Sequence, residues 1–343
     1  MILVTGSTGM LGARLIYDLR SQGKHVRALR KPSSTDSIID AVFFGQTDLK
    51  NGIEWKEGNV TDVYDVREAM EGVDEVYHCA AKVSFRGSDF REIMKVNVEG
   101  TANMVNMALE LGVKKFCHVS SIAALGRVEE NKVMDENVVW KASKQNSNYA
   151  VSKYNGEREV WRALEEGLHA VIANPGIIIG PGDWKTGSSA MFRQTWNGMK
   201  FYSEGVNGFV DVRDVSSCMI KLMEKEFFGE RFILTANNWS YHQVFDCIAD
   251  GLQKSRPTIP VGKVLSELGW RAEAVRSMFL SSTPFITKET ARNSQYKWYY
   301  TNEKIKRTLG HQFIPLEKSI EDTAKIFLRS FFSMPRQAVL SDS

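Results

Sequence analysis

Tyr149 and Lys153 stand four residues apart in Tyr149-Ala-Val-Ser-Lys153, a spacing that puts both side chains on one face of a helix. A phenol with an ordinary pKa of about 10 is a poor base at neutral pH, and an ammonium one turn away, with the positive charge of an oxidised hydride carrier, favours its ionised form. The pair suits the movement of a proton to or from an oxygen that alternates between carbonyl and alcohol. Upstream, Phe116-Cys-His-Val-Ser120-Ser121-Ile-Ala-Ala-Leu-Gly126 offers two hydroxyls at what reads as the carboxyl end of a strand. A serine there can hydrogen-bond the reacting oxygen. It can equally cap a following helix. Ser121 is selected by its position relative to Gly126.

These residues need a partner that moves hydride, and the start of the chain points to one. Thr5-Gly6-Ser7-Thr8-Gly9-Met10-Leu11-Gly12 lies directly between a short apolar strand, Ile2–Val4, and a helical pattern over Met10–Gln22. Unpaired N–H groups and the positive dipole end at a helix start suit a pyrophosphate. Gly6 permits the tight turn, Gly9 admits the phosphates and Gly12 lets helix and strand pack. The spacing is Gly-x-x-Gly-x-x-Gly rather than Gly-x-Gly-x-x-Gly. The second strand, Val26–Leu29, ends in Arg30 and Lys31, and no acid occurs between Leu19 and Thr35. A carboxylate there would take a ribose 2′-hydroxyl, whereas a guanidinium grips a 2′-phosphate. NADP is therefore expected, through Arg30, with NAD as the alternative.

The elements that must position these groups alternate. Strands are predicted at Glu75–Cys79, Phe116–Val119 and Ala170–Ala173, with helices from about Glu92 to Leu111 and from about Tyr149 to Glu166. This βαβ rhythm predicts an α/β Rossmann fold, a doubly wound parallel sheet. After Pro175 the glycines 176, 180, 182 and 187 lead out of the sheet, and Phe209–Val215 and Arg231–Thr235 read as returns to it. The dinucleotide domain is thus expected over residues 1–175 and 209–236. A smaller, discontinuous substrate lobe is expected over 176–208 and 237–343. That lobe is rich in aromatics, among them Trp184, Trp239, Tyr241, Trp270, Phe279, Phe285, Trp298, Tyr299 and Tyr300, which serve either an apolar pocket wall or ordinary packing.

Bulk properties exclude several classes. A net charge of +3 gives nucleic-acid binding no global support, although residues 251–343 hold fifteen Lys/Arg against eight Asp/Glu. No apolar run reaches the roughly 18 residues of a membrane span. Met1-Ile-Leu-Val runs straight into the glycine loop with no leader pattern, so a cytoplasmic location is expected. Cys79, Cys117, Cys218 and Cys247 are far apart and form no Cys-x-x-Cys pair, so neither a metal site nor a disulfide framework is expected. His78 and His118 read as strand residues.

Together these motifs resemble the extended short-chain dehydrogenase/reductase family, the NAD(P)-dependent epimerase/dehydratase group. It includes nucleotide-sugar epimerases, 3β-hydroxysteroid dehydrogenases and dihydroflavonol reductases, and the resemblance spans nearly the whole chain. Thr5–Gly12 is similar to its phosphate loop, Asn59-Val-Thr-Asp62 to its adenine-contacting segment and His78-Cys-Ala-Ala81 to its fourth-strand signature. Asn97-Val-Glu-Gly100-Thr101 resembles its helix motif, whose Asn is structural. Asn174-Pro175-Gly176 resembles its nicotinamide segment, and Val210-Asp-Val-Arg-Asp214 its return to the sheet. The resemblance implies Ser121, Tyr149 and Lys153 as the catalytic set, with Lys153 also on the nicotinamide ribose. It implies cofactor contacts at Gly6, Thr8, Gly9, Met10, Leu11, Gly12, Arg30, Lys31, Asp62, Val63, Cys79, Ala80, Ala81, Tyr149, Lys153, Pro175, Gly176 and Ile177. A homodimer through the helices near 92–111 and 149–166 is also implied. The family's 4,6-dehydratases carry Asp-Glu after the catalytic hydroxyl residue; here those places are Ile122 and Ala123, which cannot shuttle a proton. The expected activity is an NADP-dependent interconversion of a carbonyl and a secondary alcohol on a small, apolar or aromatic molecule. A nucleotide-sugar epimerase with retained NAD is the alternative, and a non-catalytic redox-sensing module the third reading.

Overall fold

The computed structural model describes residues 1–129, 132–143, 145–262, 265–267, 270–271 and 288–332. Phe279 and Phe285 lie outside the described residues. Strands β1 (Ile2–Thr5), β2 (Val26–Arg30), β3 (Glu54–Glu57), β4 (Glu75–His78) and β5 (Lys115–Val119) open the chain. Short β6 (Val133–Met134) is followed by β7 (Ala170–Pro175), β8 (Ile177–Ile179), β9 (Phe201–Tyr202), β10 (Val206–Asp211), β11 (Glu230–Leu234) and β12 (Asn237–Ser240). The central sheet is seven-stranded with the order β11-β7-β5-β4-β1-β2-β3. All its pairings are parallel. Strand order reverses between β1 and β4, which opens a crevice at their carboxyl ends where such sheets bind ligands.

Two apolar layers sandwich the sheet. On one face, α1 (Met10–Ser21) buries Leu11, Leu15, Ile16 and Leu19 against the apolar side of α9 (Val212–Glu224) and the sheet. On the other, α4 (Val63–Met70), α6 (Gly100–Glu110) and α7 (Asn148–Glu165) cover Leu3, Val76, Phe116 and Ile172. Both faces are covered, so the central strands carry near-continuous apolar runs. The helix expected from Glu92 is interrupted. It runs as α5 (Phe90–Met94), a π-helical turn over Lys95–Glu99 and then α6.

One expectation is corrected. Phe209–Val215 does not return to the central sheet. Strand β10 pairs with β8 and β12 in a separate three-stranded sheet, and the chain turns helical at Val212. Asp211 causes the turn by accepting a hydrogen bond from the Arg213 amide at 2.7 Å, which caps α9. Only β11 rejoins the main sheet. The smaller sheet faces α8 (Ala190–Trp196), α10 (Tyr241–Gly251) and the helix Leu316–Phe332. Trp184 packs edge-on to Phe192 and Phe327 in this layer, so its ring serves packing.

Candidate active site

The crevice is built first from backbone. Gly6 sits at φ +63°, and a Cβ there would stand 2.7 Å from the main chain of Cys79 and Ala80, so the glycine lets the loop after β1 touch the segment after β4. A Cβ on Gly12 would meet the Gly6 carbonyl at 2.2 Å. Ser7 donates to the Leu29 carbonyl at 2.7 Å and pins the loop to β2. Helix α1 starts at Gly9 with no side chain capping it, leaving its first-turn amides for a ligand. A pyrophosphate fits this cradle. Thr8, Met10 and Leu11 lie in the same loop and first turn.

The other expected cofactor contacts converge on this edge of the sheet. Cys79, Ala80 and Ala81 follow β4, and Ala80 donates its amide to Thr5 Oγ1 at 3.2 Å. Pro175 ends β7, and Gly176 leads to Ile177 in β8. Asp62 caps α4, accepting from Tyr64 at 2.9 Å and Asp65 at 3.3 Å, with exposed Val63 beside it. Arg30 ends β2 with its guanidinium over the Trp55 ring, 3.1 Å from Asp36 and 3.7 Å from Glu57. Lys31 follows it, exposed. The sequence reading stopped one residue short of Asp36.

Ser121, Tyr149 and Lys153 meet beside this cradle. Ser147 caps α7 by accepting from the Ala150 amide at 2.9 Å, which sets the helix start so that Tyr149 and Lys153 share one face. Ser121 lies near enough to the Tyr149 phenol to act on its ionisation. Ser121 also caps the short helical turn Ile122–Leu125, accepting from the Ala123 amide at 3.1 Å. The hydroxyl expected to meet the reacting oxygen thus also serves as a cap. Ser120 points elsewhere, donating to Glu157 at 2.7 Å. Lys153 is 3% exposed, and its Nζ donates to the Val119 carbonyl at 2.7 Å.

Burial dominates the electrostatics. It pushes the Tyr149 phenol up to about 12, against the nearby Ser121 hydroxyl, which pulls it down. It pushes Lys153 down to about 8, opposed by the charge of Glu157 and by Cys79. In the chain by itself the phenol is desolvated, and the ammonium is engaged by a backbone carbonyl. His78, driven down to about 3 by burial, shares a 2.8 Å hydrogen bond with Thr5 and is a neutral strut.

Three contributors escaped the sequence reading. Phe85 lies edge-on to the Tyr149 ring, with centroids 5.7 Å apart. Glu289, from the later part of the chain, accepts from the Asn148 amide at 2.6 Å and so touches the first turn of α7. Glu157, one turn past Lys153, gathers a buried network; its i+4 spacing was the available signal. Asn97, expected to be structural, clamps the Lys82 main chain and the Ser152 hydroxyl.

The chain matches the model of the NAD dependent epimerase/dehydratase family over residues 2–233. It is 30% identical to sterol demethylase protein B of Methylococcus capsulatus, over 76% of each chain. It is 29% identical to a provisionally named dihydroflavonol 4-reductase of Synechocystis sp., over 94% of this chain and 93% of that one. Cinnamoyl-CoA reductase 1 of Petunia hybrida is 26% identical over 95% and 91% of the two chains. Among solved structures, gox2253 superposes with a TM-score of 0.79 at 28% identity, covering 96% of this chain and 98% of that one. The dTDP-glucose 4,6-dehydratase DesIV of Streptomyces venezuelae, with NAD and TYD bound, shares the fold at a TM-score of 0.77 and 16% identity, over 96% and 97% of the chains. With its glycine cradle at the sheet's reversal point, the chain belongs to the NAD dependent epimerase/dehydratase family and is an NAD(P)-dependent enzyme of the extended short-chain type.

Proposed function

We propose that this enzyme is an NADP-dependent reductase that interconverts a carbonyl and a secondary alcohol on an apolar or aromatic molecule. The observation that carries the reading is the setting of Tyr149 and Lys153 one turn apart on α7, with the Lys153 ammonium bonded to the Val119 carbonyl just before Ser120–Ser121. A phenol near 12 keeps its proton at neutral pH, which is the form needed to protonate a carbonyl oxygen as it becomes an alcohol. Ser121 orients that oxygen, and Lys153 holds the ribose and feeds the phenol. The nicotinamide, when bound, supplies or accepts the hydride. Ile122 and Ala123 leave no second acid–base group after the serine. The Phe85 ring on Tyr149 supports an apolar substrate, as do relatives named as reductases of dihydroflavonol and cinnamoyl-CoA.

NADP is supported by Arg30 and Lys31 at the end of β2. Asp36 and Glu57 hold the guanidinium, so a 2′-phosphate must share it, and the preference is smaller than a free arginine would give. A homodimer through α6 and α7 completes the proposal; light scattering giving a monomer mass would remove that part.

A nucleotide-sugar epimerase with retained NAD is the second reading, favoured by the family description and the likeness to DesIV. The two part in one experiment. Protein purified under native conditions is assayed for bound dinucleotide, then mixed with NADPH and a panel of aromatic and alicyclic ketones and aldehydes. The reductase comes largely free of cofactor and consumes NADPH stoichiometrically. Near-stoichiometric bound NAD, with two nucleotide sugars interconverted at constant absorbance, decides for the epimerase.

A further inference from the structure

Glu157 is 1% exposed, an unusual place for a carboxylate, and it accepts four hydrogen bonds. Ser120 Oγ donates to Oε2 at 2.7 Å and Asn174 Nδ2 to the same oxygen at 2.8 Å. Arg231 Nη1 donates to Oε1 at 3.0 Å and Trp161 Nε1 at 3.2 Å. The donors come from the loop after β5, from β7, from β11 and from α7 itself. A buried ion pair adds little net stability relative to well-packed apolar groups, so packing alone does not account for one here.

The network leads into the site at two points. Asn174 Nδ2 also donates to the Ser121 carbonyl at 3.0 Å, while its Oδ1 is buried without a partner. The Glu157 carboxylate therefore determines which way this amide faces, because only the Nδ2 end can satisfy both it and Ser121. Second, Tyr149, Lys153 and Glu157 follow one another at four-residue steps along α7, so the carboxylate lies on the Lys153 face of the helix. The other groups about Lys153 are the Cys79 thiol and the neutral imidazoles of His78 and His118.

We propose that Glu157 is the positioning residue of this site: it fixes the main chain of Ser121 through Asn174 and Ser120, and faces the Lys153 ammonium with its negative charge. The inference rests on the role given above to Lys153. Removing the charge should let burial drive the ammonium to lose its proton at lower pH, whereas moving the carboxylate without removing it should disturb the serine and spare the lysine.

The test separates the two effects with three proteins: wild type, Glu157→Gln and Glu157→Asp. In protein labelled with ¹³C-lysine, the Lys153 resonance is assigned by its loss in Lys153→Arg and followed against pH, and NADPH affinity is measured over the same range. In the wild type both should change near pH 8. In Glu157→Gln both midpoints should fall by about one pH unit, weakening NADPH binding at pH 8 several-fold. Glu157→Asp should keep the wild-type midpoints and lose turnover about tenfold. A Glu157→Gln protein that folds and titrates like the wild type overturns the proposal, and so does a Glu157→Asp protein with full turnover. Should the Gln variant fail to fold, the Asp variant and Ser120→Ala decide: both must lower kcat with cofactor affinity unchanged, and unchanged kcat in either overturns it. The lysine titration needs no substrate. A wild type that titrates near pH 8 but binds no dinucleotide would defeat the function proposed above while leaving this test in force.

Discussion

The residues proposed to do the chemistry also carry structural duties. Ser121 caps a turn beside Tyr149, and Lys153 ties α7 to the end of β5. Tyr149→Phe removes the hydroxyl but leaves ring and helix in place. Turnover should fall by at least ~100-fold, in the usual range for a lost general acid–base, with cofactor affinity nearly unchanged in calorimetry. Near-full activity would reassign the proton carrier. The pH dependence has a definite sign. Lys153 is an ammonium below about 8, so cofactor affinity and turnover should be flat below that pH and decline as pH rises through it. At the far end of the cradle, Asp36 competes with any phosphate for Arg30. Asp36→Asn should raise NADPH affinity relative to NADH, and Arg30→Ala should erase the preference, a difference of about 1.5 kcal/mol if the contact is a charge-assisted hydrogen bond. Equal affinities for the two cofactors in the wild type would overturn the NADP assignment.

At the scale of elements, the sequence was most legible where apolar periodicity and a boundary residue agreed. The α1 boundaries follow from leucines at helical spacing between Gly9 and the turn at Gln22–Gly23, and the strand ends of β1, β2, β4 and β5 fell within a residue or two. Strand β3 was not legible. Its residues, Glu-Trp-Lys-Glu, lie at the sheet edge with exposed ends, so no apolar run marks it. Strand β10 misled for the opposite reason. Its buried Phe209 and Val210 look like a core strand, but nothing local says which sheet receives them. The π-helical turn at Lys95–Glu99 was equally silent, although its Asn97 holds Ser152, the neighbour of Lys153. Close packing at this level is testable. Gly12→Ala would drive a methyl into the Gly6 carbonyl, so the loop and α1 must part. The variant should melt at a lower temperature by several degrees and bind NADPH at least tenfold more weakly. Wild-type melting and affinity would show that the loop has room the distances do not allow.

At the scale of the molecule, the later chain is tied to the main sheet and its helices at several points among the described residues, His311 to Asp214 at 3.0 Å and Lys304 to the Arg231 carbonyl at 2.8 Å among them. Met10, in the first turn of α1, lies against Gly180 and Gly182 of the loop leaving the main sheet. Arg213, at the start of α9, bridges Asp211 and Asp322, the latter on the helix Leu316–Phe332. Glu289 reaches α7 itself: its carboxylate accepts the Asn148 amide at the start of the helix that carries Tyr149. Burial raises the pKa of this group, and the Asn148 hydrogen bond pulls it back. A carboxylate at a helix N-terminus is favourably placed against the helix dipole, and removing it leaves a half-buried N–H without its partner. Glu289→Ala should therefore loosen the first turn of α7 without touching the glycine loop. Turnover should fall roughly tenfold, the equivalent of about 1.4 kcal/mol, while NADPH affinity stays within twofold of wild type. Glu289→Gln, which keeps an acceptor oxygen, should recover most of the loss. If Glu289→Ala instead weakens NADPH binding as much as it slows turnover, Glu289 acts on the cradle as a whole, and the lobe's influence is not confined to the helix start that presents the phenol.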